Sequence, residues 1–92
     1  HIANIRVMFK IEYSRESLKA LKKMPRNSLK LIRSKIENLA ENPYHQNNNV
    51  IQLTGSEEYR LRVGNWRVFY TLKDKLLTID ILKIKPRGGA YQ

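Results

Sequence analysis

An α+β fold is predicted for this chain: two antiparallel helices packed on an antiparallel-rich β-sheet, in the order β-α-α-β-β-β. Three observations predict it. A segment of period two opens the foldable part of the sequence, a run of apolar residues at helical spacing lies between Leu29 and Ala40, and three strand-like runs separated by turn residues fill the C-terminal third. Ninety-two residues suit a single domain. A domain of this size buries roughly two-thirds of its unfolded surface, so one compact core is expected.

Met8 to Tyr13 sets Phe9, Ile11 and Tyr13 against Lys10 and Glu12, the alternation of a half-buried strand. Met8 itself reads as a natural start. Residues 8–92 are therefore taken as the domain, and residues 1–7 as a tag remnant or an upstream extension. Ser14 is placed to cap the first helix, with Glu16 in its first turn to complement the dipole. Leu18, Ala20 and Leu21 supply its apolar stripe, and Pro25 ends it or opens the second helix. In that second helix Leu29, Ile32, Ile36, Leu39 and Ala40 recur every three to four residues until Asn42-Pro43 stops the pattern. Tyr44 to Ser56 reads as a polar loop with an apolar patch at Val50, Ile51 and Leu53. Tyr59 to Val63 alternates, Gly64-Asn65 turns the chain, and Trp66 to Leu72 is β-branched and aromatic. After Lys73-Asp74-Lys75, a long strand is expected from Leu76 to Ile84. Leu77, Ile79 and Ile81 lie on one of its faces and Leu76, Leu82 and Ile84 on the other, which suits a central position. Pro86-Arg87-Gly88-Gly89 breaks the pattern.

Eighteen Lys and Arg against eight Asp and Glu give a formal net charge of +10 and a pI near 10.2. Such a charge on a small body attracts polyanions, nucleic acid above all. Cysteine is absent, which removes disulfides and thiolate metal sites and fits a reducing cytoplasm. No apolar run approaches a membrane span, and no membrane partner is expected. The two histidines, His1 and His45, lie in unrelated contexts, so neither a metal nor another cofactor is expected.

Alternation also selects the candidate site. With Leu61 and Val63 directed to the core, Arg60 and Arg62 share the opposite face, about 7 Å apart by two steps of strand rise. Arg67 returns beside them on the next strand, and three planar donor forks suit a phosphate. Lys83 and Lys85 precede Pro86, and Arg87 and Tyr91 flank a double glycine that lets them fold back over the sheet. Clustered carboxylates, a His/Cys pair and a Gly-rich phosphate loop are missing from the sequence, which disfavours metal-assisted nuclease chemistry. What remains is attack by the RNA 2′-hydroxyl on its own phosphate. That route needs stabilisation of a phosphorane, a base and an acid. Arginines supply the first; they do not lose a proton near neutral pH, so Tyr91 or Lys85 is the candidate proton carrier. The helices carry further cations, among them Lys22, Lys23 and Arg26, which read as a solvated face or as a grip on RNA.

The stretch Tyr59-Arg60-Leu61-Arg62-Val63-Gly64-Asn65-Trp66-Arg67-Val68-Phe69-Tyr70 and the ending Lys85-Pro86-Arg87-Gly88-Gly89-Ala90-Tyr91, together with the element order, resemble the RelE branch of the RelE/ParE toxin superfamily. The resemblance covers Met8 to Gln92. It implies a cytoplasmic type II toxin, a ribosome-dependent endoribonuclease that cuts mRNA in the ribosomal A site. It also implies a cognate acidic antitoxin that neutralises the toxin in an oligomeric complex. Phosphate-binding and transition-state roles would fall to Arg60, Arg62, Arg67 and Arg87, and a base or stacking role to Tyr91. Relatives often carry lysine where Arg60 and Arg62 stand here, and some use a His and a Glu for acid–base work. Two alternatives share the charge or the fold: a ParE-type toxin that inhibits DNA gyrase without cutting RNA, and a non-catalytic nucleic-acid-binding module.

Overall fold

The structure, a computed structural model, describes residues 8–88. Strand β1 (Lys10–Tyr13) leads into helix α1 (Arg15–Lys23), and helix α2 (Arg26–Glu41) follows after Met24 and Pro25. The Ser14 hydroxyl accepts a hydrogen bond from the Ser17 amide and so caps α1, as the sequence predicts. Pro25 stands at the cap position of α2. Four strands complete the chain: β2 (Val50–Gln52), β3 (Tyr59–Val63), β4 (Trp66–Lys73) and β5 (Thr78–Pro86). The sheet order is β1-β5-β4-β3-β2, with β1 parallel to β5 and every other pair antiparallel.

Both helices cover one face of this sheet. Ile32, Ile36, Leu39 and Ala40 of α2 and Leu21 of α1 pack against Leu61, Val63, Val68, Tyr70, Ile79, Ile81 and Ile84. Ile32 and Ile36, four residues apart, are fully buried, and each such burial contributes about 1.5–3 kcal/mol. Tyr59 stacks on Tyr70 across β3 and β4, which adds a large aromatic surface to the same layer.

Four local expectations are corrected. The polar loop contains β2, a three-residue edge strand that exists by virtue of its pairing with Tyr59–Leu61. Leu18 is exposed, and the buried position in that turn of α1 belongs to Ser17, whose hydroxyl bonds back to the Ser14 carbonyl. Leu76 and Leu77 lie in a 3-10 turn (Asp74–Leu76) and its cap, outside β5 and exposed; Leu77 takes the left-handed conformation, φ 47°. The fourth correction matters most. Phe69 pairs with Lys83 but Tyr70 pairs with Ile81, so Leu82 is an extra residue, a β-bulge. The bulge shifts the phase of β5 by one. Ile84 therefore joins Ile79 and Ile81 in the core, and Lys83 and Lys85 turn to the face away from the helices.

Candidate nucleic-acid interface

The sheet face opposite the helices carries the candidate residues in two cross-strand rows. Arg62 of β3 stands opposite Arg67 of β4, which stands opposite Lys85 of β5. In the second row Ile51, Arg60, Phe69 and Lys83 follow one another across β2, β3, β4 and β5. Directly opposed side chains on one face are close neighbours, and like charges so placed destabilise a sheet. Three cations in register therefore carry a cost, relieved in part where Glu16 pairs with Lys85 and further by any anion bound at Arg62 and Arg67. The Lys83 ammonium lies 4.9 Å from the Phe69 ring centroid.

The β3–β4 turn gathers the rest. Gly64 has φ 57° while Asn65 is not left-handed, the geometry of a two-residue turn with glycine first. The Arg87 amide donates to the Asn65 carbonyl at 2.6 Å. That bond holds the exit of β5 against the turn, so Arg87 sits at the same end of the sheet as Arg62, Arg67 and Lys85, and it is exposed. Lys85 also pairs with Glu16 of α1 at 3.1 Å. Among the described residues, no carboxylate lies within ion-pair distance of Arg60, Arg62, Arg67 or Arg87.

The arginines are not equivalent. Arg67 is only 7% exposed. Its Nη1 donates to the carbonyls of Gly64 (3.0 Å) and Trp66 (2.9 Å), so it braces the turn, while its Nε is buried without an acceptor among the described residues. An unsatisfied buried donor costs about 1–3 kcal/mol. Arg62 is exposed, and its Nη2 donates to the Asn49 side chain at 3.0 Å. Arg60 is half-buried between these extremes. Lys22, Lys23 and Arg26 lie at the junction of α1 and α2, in the helical layer and apart from the arginine rows. Tyr91 lies outside the described residues.

Sequence reasoning missed Asn49 and Phe69. Phe69 alternates with Val68 and Tyr70 and was legible as a residue of the arginine face. Asn49 had no such signal, because its bond with Arg62 depends on β2. Two phenols hold their protons more firmly than a free tyrosine. Burial pushes Tyr70 far up from its ordinary value, and burial likewise raises Tyr13 despite its hydrogen bond to Arg33. Among the described residues no group of three or more His, Asp or Glu could hold a metal ion, and no helix is long and apolar enough to cross a membrane.

Comparison with known proteins agrees with this fold. Residues 11–91 match the family described as the ParE toxin of the type II toxin–antitoxin system parDE. A Methanocaldococcus jannaschii protein that bears the name toxin RelE1 is 38% identical over 86 residues, which cover 91% of this chain and 96% of that protein. The archaeal RelE–RelB complex from Pyrococcus horikoshii contains a chain that superposes with a TM-score of 0.77 at 30% identity, covering 89% of this chain and 98% of that one. The RelB–RelE antitoxin–toxin complex from Methanococcus jannaschii gives 0.70 at 25% identity, covering 88% and 95%. The chain belongs to the RelE/ParE family of type II toxins.

Proposed function

We propose that the protein is an mRNA interferase, a toxin that enters the ribosomal A site and cuts mRNA there by attack of the 2′-hydroxyl on the adjacent phosphate. The observation that carries this reading is the row Arg62–Arg67–Lys85, three cations held opposite one another in the sheet beside Arg87. Such a row suits a phosphate that gains charge in the transition state. RNA is the substrate because DNA lacks the attacking hydroxyl. Arg60 and Arg62 bind backbone phosphates; Arg67 and Arg87 stabilise the phosphorane. Lys83 and Lys85 extend the RNA path, and Lys22, Lys23 and Arg26 contact the ribosomal surface. Tyr91 serves as base or as a stacking platform. The protein acts in the cytoplasm and is neutralised by an acidic antitoxin in an oligomeric complex, as the RelE–RelB complexes among its structural relatives suggest.

The test is cleavage of one defined mRNA with and without ribosomes. Cuts within codons that require ribosomes are expected. Growth arrest without any cut would sink the reading in favour of a second one, a toxin that blocks DNA gyrase. That second reading draws on the ParE name of the matching family.

A further inference from the structure

Beyond the arginine rows the molecule holds a cavity of about 700 Å³, between the C-terminal half of α2, the segment that follows it and the edge of β3. Arg62 belongs to both places. Because β2 begins only at Val50, opposite Leu61, the next residue of β3 meets no strand but the single residue Asn49. The Arg62 amide donates to the Asn49 carbonyl at 2.8 Å, and its guanidinium reaches the Asn49 side chain over the sheet edge.

The cavity walls have a distinct chemistry. Leu39 and Leu61, both buried, form an apolar floor. Four carboxamides stand around it: Asn38, Asn42, Asn47 and Asn49. The oxygens of Asn47 and Asn49 are taken, by the Asn49 amide and by Arg62, which leaves their amino groups to donate. Asn38 and Asn42 keep donor and acceptor side by side, the pattern that pairs with a base edge. Lys35 and Arg62 supply positive charge and His45 a ring. Glu41, also in the wall, is engaged in an interaction of its own.

We infer that this cavity holds one unstacked nucleotide: its base rests on Leu39 and Leu61 and is read by the asparagine amides, while Lys35 and Arg62 hold its phosphate. The volume lies in the range of small-molecule sites, and single-stranded RNA is commonly read through bases splayed out of the stack. The inference rests on the proposed function for its biological setting, because Arg62 would then link the reading of a flanking nucleotide to the scissile phosphate on the sheet. It adds to that reading a determinant of sequence preference, with Asn38 and Lys35 as specificity residues.

The experiment titrates the isotopically labelled full chain with each of the four 5′-nucleoside monophosphates, and separately with inorganic phosphate, by NMR. Saturable shifts of the Asn38, Asn42 and His45 signals are expected with at least one nucleotide. Both Asn38→Ala and Lys35→Ala should weaken that binding by about fivefold, the loss of one hydrogen bond. Both positions are exposed on α2, where alanine favours the helix. Shifts that phosphate alone reproduces at equal concentration, no shifts at all, or undiminished binding by both variants would each overturn the inference. Mapping of mRNA cuts by Asn38→Ala completes the test: cleavage at an altered flanking nucleotide supports the inference, and an unchanged pattern of cuts overturns the specificity role. A wild-type protein that binds nucleotides in the cavity yet cuts no RNA would refute the proposed function and leave the cavity assignment standing. RNA cutting with a silent titration would do the reverse.

Discussion

The two ends of the sheet treat their charges differently. At the end of the β4–β5 connection, Lys73 pairs with Asp80 at 3.0 Å and Lys10 with Glu12 at 3.6 Å. Tyr44 adds a hydrogen bond to Asp74. The Asp80 carboxylate accepts from Lys73 and holds that ammonium above its ordinary value, so its charge is answered within the fold. At the end of the β3–β4 turn, Arg62, Arg67 and Arg87 meet carbonyls, an amide or solvent, with no described carboxylate in reach. One end is electrically closed. The other stores like charge in register, answered by a described carboxylate only at Lys85, which pairs with Glu16, and this cost to folding becomes useful when a polyanion arrives.

The contrast can be broken most severely by Arg87→Ala. This exposed side chain supports little of the fold, so unfolding should move by less than about 0.5 kcal/mol. RNA cleavage should fall by about 10²- to 10³-fold, as when one donor to a transition-state oxygen is removed; single-turnover kinetics checks it. Arg67→Ala should couple the two properties. With the bonds to Gly64 and Trp66 gone, unfolding in urea should be easier by about 2–3 kcal/mol, and cleavage should fall as well. If Arg67→Ala unfolds like wild type, the turn-bracing role is wrong.

Arg60→Ala sharpens the comparison by salt dependence. The slope of log binding constant for single-stranded RNA against log salt should drop by about 0.7 for each phosphate that is no longer neutralised, whereas Lys73→Ala at the closed end should leave it unchanged. The smallest effect is expected at Leu77, whose left-handed backbone is costly for any residue with a Cβ. Leu77→Gly should stabilise the protein by up to about 1 kcal/mol and leave cleavage alone; thermal unfolding together with the kinetic assay reads both.

Much of the fold was legible because it rests on local periodicity. The stripe from Ile32 to Ala40, the Ser14 cap and the alternation of Tyr59 to Val63 each depend on near neighbours, and the structure keeps all three. The Gly64-Asn65 turn follows for the same reason, and with it the facing of Arg62 and Arg67. Strand β2 was not legible. Three residues are too few to show a period, and Ile51 counts as strand only because Arg60 lies opposite. The exposure of Leu18 was hidden too, since helical spacing does not say which neighbour the sheet will meet.

By itself, the sequence determined the element order apart from β2, the basic character and the shared face of Arg60 and Arg62, because composition and alternation are properties of the chain alone. The tertiary structure decided the rest of the arginine face. Uninterrupted alternation from Ile79 and Ile81 would send Lys83 and Lys85 into the core; the bulge at Leu82 turns them outward and draws Ile84 in. Alternation likewise placed Arg67 on the sheet face, but its burial and its bonds to the turn come from a position in the middle strand. Both outcomes depend on how neighbouring strands register, and register is a relation between segments that no single segment carries.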